Sequence, residues 1–181
     1  MFMSQGSLEL LKMLSEIDPR QPYGTELFDA LARLTVSVAV EAVCLRPYWQ
    51  IGSEIEQGQY PEFEVYLVQR AQDDTAYPGE WHCPGSVMRP MESIEDVMAR
   101  LGKKEFGANL LSWKFVTNVN HAHEQRGHFF SLVYLCQLRE EKEGMRGQWF
   151  PTYRLPQNTV GHHRQPIIPV ALGDFLSDRT Y

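Results

Sequence analysis

The segment Pro78-Gly79-Glu80-Trp81-His82-Cys83-Pro84-Gly85-Ser86-Val87-Met88-Arg89-Pro90-Met91-Glu92-Ser93 constrains this chain more than any other stretch. Glycine and proline at this density form a tight loop whose backbone groups can approach a ligand or a metal closely. A helix follows at once. Ser93 and Asp96 stand at capping-box spacing and Gly107 stands where a C-terminal glycine belongs, which predicts a helix over residues 93–106. On such a helix Leu101, Lys104 and Glu105 lie three and four residues apart and should project from one face.

The flanking sequence predicts what this loop and helix pack against. The β-branched alternation of Val36, Val38 and Val40 reads as a strand over 35–45, and Phe63, Val65 and Leu67 mark a second over 63–69. Aromatic and β-branched runs at 112–123 and 128–138, joined by Glu124-Gln125-Arg126-Gly127, predict an antiparallel hairpin. Residues 48–61, with Gly52 and Gly58, read as a loop or hairpin end, and residues 170–176 as a short terminal helix or turn. Upstream, Leu8, Leu11, Leu14 and Ile17 form an apolar stripe behind Ser7 as N-cap, and Thr25 caps a second helix carrying Leu27, Phe28, Leu31 and Leu34. The expected class is α/β: a mixed sheet with helices on its faces, preceded by a helical extension over 1–34 and with residues 35–181 as the main domain.

Composition bounds the function. A chain of 181 residues with net charge -6 does not carry the excess of Lys and Arg from which general nucleic-acid or anionic-membrane binders draw their affinity. No nucleic-acid or membrane partner is therefore expected, and a small anionic ligand held by a local group of donors remains open. With no signal-like or spanning apolar run, the cytoplasm is the expected compartment. Cys44, Cys83 and Cys136 show no C-x-x-C spacing and are read as reduced and mostly buried. The stripe Leu8, Leu11, Leu14 could close a homodimer as readily as cover its own sheet.

The central segment resembles the Nudix hydrolase family, whose box is G-x5-E-x7-R-E-U-x-E-E-x-G-U (U a bulky aliphatic) behind W-x-x-P-G. Trp81-His82-Cys83-Pro84-Gly85 fits the approach, Glu92 and Arg100 have the required separation, and Glu105 and Gly107 fall in register. The strand ending at Arg70 before Asp73-Asp74, and Gln148-Trp149-Phe150-Pro151 with Leu155-Pro156, sit where the family has comparable features, so the resemblance covers 35–156. It implies a Nudix-like α/β/α sandwich and cleavage of a diphosphate linked to another group, with magnesium or manganese held by the box helix. It also implies that Glu92, Arg100 and Gly107 are structural, Glu92 and Arg100 forming a salt bridge that pins the loop, and that the Gly85 carbonyl can face a metal.

The departures from the box matter as much as the matches. Ser86 replaces the first glycine, Leu101 the glutamate after the arginine, and Lys104 the first of the paired glutamates. Magnesium is a hard ion that takes oxygen ligands, so losing two carboxylates and gaining a cation should weaken its binding sharply. The expected function is a protein that binds a small phosphate-containing ligand through Gly85, Ser86 and Lys104, with lost or much weakened magnesium-dependent hydrolysis and no cofactor. Lys104 reads either as a tethered cation or as ordinary solvated surface, and Leu101 either as a lost ligand or as packing. The alternative is an active pyrophosphohydrolase in which Glu105 is catalytic and a metal is held by Glu105, the Gly85 carbonyl and Glu141 from the 140–143 run. His121, His123 and His128 have spacing that can hold a transition metal, although the ends of hairpins commonly carry such residues; His162-His163 receives still less weight. Trp49, Phe150 or Tyr153 could stack on a base.

Overall fold

A sheet built around a central pair of parallel strands places the site. The computed structural model describes residues 4–48, 62–107, 109–138 and 145–178. Strand β1 (Val36–Tyr48) runs parallel to β6 (Gly127–Leu138), and on its other side it pairs first with β4 (Gly85–Val87) and then with β2 (Glu62–Gln69), both antiparallel. β2 adds β3 (Trp81–His82) and β7 (Gln148–Pro151), while β5 (Leu110–Glu124) closes the far edge against β6. The long hairpin follows the expected ranges. The Gly/Pro loop differs from expectation in contributing two short strands, because its backbone groups must find partners once buried beside β1 and β2.

Two cores lie on opposite faces, as strand alternation requires. Val40, Ala42, Cys44, Tyr66, Val68 and Cys136 face one way and pack on Val97, Met98, Leu101 and Phe106 of the box helix. Val43, Val65, Leu67 and Val133 face the other way, against Ile168 and Ala171 of helix α4 (Ile168–Ser177) and Ile167 just before it. The result is an α/β/α sandwich with a mixed sheet. All three cysteines are buried and outside any disulfide. Among the described residues no helix is long and apolar enough to cross a membrane.

The box helix is not one continuous α-helix. The capping box forms, with Ser93 Oγ accepting from Asp96 N and Asp96 accepting from Ser93 N, and α3 (Ile94–Leu101) ends at a π turn over Gly102–Phe106. Gly107, at φ 63°, closes that turn by donating its N–H to the Gly102 carbonyl. A π turn has more residues per turn than an α-helix, so spacing rules for an α-helix fail across it. Leu101 is accordingly 1% exposed in the core, while Lys104 has 65% of its side chain in solvent. The expected shared face of Leu101, Lys104 and Glu105 does not exist.

At the N-terminus, α1 (Gln5–Ser15) is capped by Ser4 rather than Ser7 and buries none of its residues, so its stripe does not cover the sheet. Helix α2 (Thr25–Leu34) starts behind Gly24, with Thr25 as its first residue rather than its cap. It docks on the hairpin turn: a Cβ on Gly127 would come within 2.1 Å of the Ala32 carbonyl, so only glycine permits this approach.

Candidate functional site

A cavity of about 630 Å³ opens where β1 and β6 extend beyond α4. Ala39 and Glu41 on β1, and Phe129 and Ser131 on β6, continue the rows whose later members Val43 and Val133 meet α4. The loop residues Gly85 and Ser86 form another wall, and Tyr23 and Phe28 from the N-terminal extension form a third. Its charged lining is predominantly basic: Arg70, Arg89, Arg100, Lys104 and Arg126 against Glu41, Asp74 and Glu124.

The loop is fixed by the Glu92–Arg100 pair. Arg100 donates Nε to Glu92 Oε1 at 2.9 Å and Nη2 to Oε2 at 2.7 Å, a bidentate geometry, and also donates to Ser86 Oγ and to the Val87 carbonyl. Glu92 Oε2 in turn accepts the Arg89 N–H at 2.8 Å. Burial opposes ionisation of Glu92, but the Arg100 and Arg89 donors outweigh it and hold its carboxyl below the ordinary value.

Beside this loop lies a carboxyl group in an unusual place. Glu41 interrupts the apolar run of β1 at 6% exposure, and among the described residues its Oε2 has no hydrogen-bond partner. That oxygen sits where a side chain on residue 85 would be, 2.1 Å from an ideal Cβ there, so Gly85 is required by close approach. Burial pushes the Glu41 carboxyl up to about 8, against the opposing influence of Arg70 and a Ser131 hydroxyl at 3.5 Å. His163 is fully desolvated and its imidazole is held well below its ordinary value. The 3.9 Å approach of His163 Nε2 to Glu41 Oε2 therefore joins two neutral groups near pH 7 and is not an ion pair.

On the opposite wall, Asp74 organises two arginines and a turn. It accepts from Arg70 at 3.1 Å, from Arg126 at 2.8 Å, and from the backbone N–H of Ala76 and Tyr77. Burial works against its charge, but these donors hold its carboxyl far below the usual range. Arg126 Nε also lies 3.3 Å from Asp29 of α2, which ties the extension to this wall. Glu124 accepts from the Tyr77 hydroxyl and lies 3.0 Å from His162 Nδ1. Burial, then Glu124, push the Tyr77 hydroxyl up.

The expected site residues separate into groups. Gly85, Ser86, Arg100 and Lys104 meet at the cavity, with Glu92 behind them and Gly107 closing the π turn. Glu105 lies outside the cavity lining and its Oε1 is 3.0 Å from Lys104 Nζ. Glu141 and the rest of the acidic run, like Trp49, lie outside the described residues. Phe150 packs edge-on against Trp81 at 4.8 Å between centroids. His121, His123 and His128 do not converge: a bulge between His121 and Glu124 turns His121 inward and leaves His123 exposed, and His128 pairs with Asn120 at 2.6 Å. At the box-helix positions Leu101 lies in the core, Lys104 lines the cavity, and Glu105 is the carboxylate that remains to offer oxygen to a hard cation. Among the described residues no three His, Cys, Asp or Glu side chains converge as a metal ion requires.

Sequence reasoning passed over Glu41, Arg70, Tyr77, Glu124 and Arg126 as site residues, and gave His162 little weight. A usable signal existed for two of them. Glu41 stands alone in Val40-Glu41-Ala42-Val43, and Arg70 directly follows a strand whose interior is buried. A lone acid in an apolar strand is costly without a purpose.

No protein-family model matches the chain, and no curated protein matches it significantly. Solved structures do. A MutT Nudix hydrolase from Burkholderia pseudomallei aligns over 77% of this chain and 97% of its own, with TM-score 0.52 and 22% identity. NrtR from Shewanella oneidensis, solved with a 27mer DNA, aligns over 78% of this chain at TM-score 0.57 and 18% identity, the match spanning 63% of the NrtR chain. The Nudix domain of the same NrtR, solved with ADP-ribose, aligns over 96% of this chain and 99% of its own at TM-score 0.53 and 17% identity.

Proposed function

We propose that this chain, which has the Nudix fold, binds a small diphosphate-containing, nucleotide-like ligand in the cavity and has lost most of the magnesium-dependent hydrolysis associated with an intact box. One observation carries this reading: arginines and Lys104 line the cavity, while of the three box-helix positions 101, 104 and 105 only the last is a glutamate, Glu105, paired to Lys104. A diphosphate brings charge that such a lining can neutralise directly, whereas a divalent cation would meet Lys104 instead of a carboxylate. Arg100 and Ser86 place hydrogen-bond donors at the loop end, and Phe28, Tyr23 and Phe129 offer ring surfaces for the organic part of the ligand. The ADP-ribose bound by the NrtR Nudix domain supports this ligand class. The net charge of -6 supports a small ligand over a nucleic acid.

The test is calorimetric titration of ADP-ribose, a nucleotide sugar and a dinucleoside polyphosphate into the protein with EDTA and then with magnesium. Binding in EDTA, with no more than a slight gain from magnesium, is the expected result. Affinity and rapid turnover that both require magnesium, and that vanish in Glu105→Gln, would favour the remodelled pyrophosphohydrolase and overturn this proposal.

A further inference from the structure

We propose that His162, oriented by Glu124, is the general base of a metal-free hydrolysis of a phosphoanhydride held by Arg70 and Arg126. The inference rests on the diphosphate-ligand reading above and assigns chemistry to the wall opposite the box.

The geometry has the parts that proton removal from water needs. His162 Nδ1 lies 3.0 Å from Glu124 Oε1, and a carboxylate oxygen can only accept, so the ring proton sits on Nδ1. That leaves the lone pair on Nε2, and His162 lines the cavity. Glu124 is itself positioned by the Tyr77 hydroxyl on its other oxygen. A carboxylate that fixes the tautomer and direction of an imidazole, and is fixed in turn by a third group, is the arrangement used to orient a base. The ring is further held by tilted contacts with His121 and His163, at 4.7 and 4.5 Å between centroids, and by the edge of Tyr77 at 5.9 Å.

The groups facing His162 are Glu124 and His121 from β5, Tyr77 from the turn after β2, Arg70 at the end of β2, and its neighbour His163. Burial is the largest influence among them and, with His121 and Arg70, outweighs Glu124 to hold the imidazole down to about 4. The ring is thus unprotonated near pH 7 and free to accept. A phosphate has its donors on the same wall. Arg70 and Arg126 both line the cavity, and Asp74 holds their guanidinium groups side by side, accepting from Arg70 Nη1 at 3.1 Å and from Arg126 Nη2 at 2.8 Å. Their guanidinium groups can take the charge that magnesium would otherwise neutralise.

In the step, the water oxygen forms a bond to one phosphorus of the anhydride and a water proton passes to His162 Nε2. The bond from that phosphorus to the bridging oxygen breaks, and the electron pair leaves with the oxygen, whose charge is met by Arg126 or Arg70. The imidazolium then gives its proton to solvent. From ADP-ribose the products are two phosphate monoesters, and no oxidant, reductant or substrate other than water is consumed.

The experiment uses the full chain in EDTA with ADP-ribose and a dinucleoside polyphosphate as probes, in water enriched in oxygen-18. Binding is followed by calorimetry and products by mass spectrometry. The expected result is slow turnover that places one heavy oxygen on a single product phosphate. His162→Gln should lower kcat at least about 100-fold, the lower range for a general base, with KM within about twofold. Glu124→Gln should move the acid limb of the kcat–pH profile to lower pH, because the Glu124 carboxylate raises the His162 imidazole; a merely structural role would leave the limb in place. Circular dichroism establishes folding, and if His162→Gln fails to fold, the Glu124→Gln profile decides alone. Binding without turnover in EDTA overturns this inference and leaves the binding proposal standing. Equal kcat in wild type and folded His162→Gln also overturns it. Absence of binding by every probe, with or without magnesium, overturns both.

Discussion

Glu41→Gln should stabilise the protein, and the gain should grow with pH. In the folded chain the carboxyl is pushed up to about 8 by burial, against 4.5 for the ordinary group. A proton held more tightly in the folded state gives a contribution that is complete below the ordinary value and is lost as pH rises toward 8. Each unit between the two is worth about 1.4 kcal/mol. Near pH 7 the unfolded chain gains by ionising Glu41 while the folded chain hardly does, so wild type stands about 3 kcal/mol below a non-titrating isostere; near pH 5 the difference is under about 1 kcal/mol. Glutamine keeps the shape beside Gly85 and the contact to Ser131 but has no proton to lose. Urea unfolding of both proteins from about pH 5 to about pH 8 isolates the effect, because the histidines titrate alike in each and cancel. The stability difference should widen by roughly 3 kcal/mol across that range. A difference that stays flat within about 0.5 kcal/mol would show that Glu41 is ionised in the folded state, with Arg70 rather than burial setting its charge.

Other outcomes follow from the same geometry. In the Glu41→Gln background, lowering pH below about 6.5 should destabilise the fold, because burial holds His82 down to about 3 and His162 to about 4, with His163 lower than its ordinary value; these groups bind protons more readily when unfolded, so stability is lost as pH falls, and thermal melts between about pH 4.5 and 7 would show it as a falling midpoint. Leu101→Glu should cost about 3 kcal/mol or more, since it puts a carboxyl among Val97, Met98 and Phe106, so Leu101→Glu with Lys104→Glu will not rebuild a metal face; improved magnesium affinity in a folded double variant would contradict the core position of Leu101. Lys104→Glu alone should leave stability nearly unchanged and weaken ADP-ribose binding several-fold in EDTA, more at low salt, as read by calorimetry. Gly85→Ala should cost about 2 kcal/mol by displacing the Glu41 carboxyl, and chemical denaturation should show much of that cost disappearing when Glu41 is also alanine.

Local chemistry carried much of the fold into the sequence. The capping box at Ser93 and Asp96, the glycine at the end of the box helix and the turn of the long hairpin are decided by residues within a few positions of one another, and all form. The Glu92–Arg100 pair belongs to the same class, because the loop and the helix it enters are contiguous. The reading of Leu101, Lys104 and Glu105 as one face failed for a physical reason: Leu101 ends the α-helix on its core face with Val97, and the π turn that starts at Gly102 changes the angular spacing of the residues after it.

The candidate site was decided by the tertiary structure. Nothing local links Arg70, Glu124 and His162. They meet because the tail folds back onto β3, where Trp81 donates to the Asn158 carbonyl at 2.9 Å and Val160 donates to the Trp81 carbonyl at 2.8 Å, setting His162 and His163 against the hairpin end. Those bonds satisfy backbone groups from segments far apart in the chain, which periodicity and motif spacing do not encode. The same holds for Tyr23 and Phe28, which enter the cavity only because α2 closes on Gly127. The amino-acid sequence by itself determined which elements form and where the box loop lies, since those depend on neighbours along the chain. The tertiary structure decided which charges face one another across the cavity, since burial and Coulomb interaction depend on distance in space.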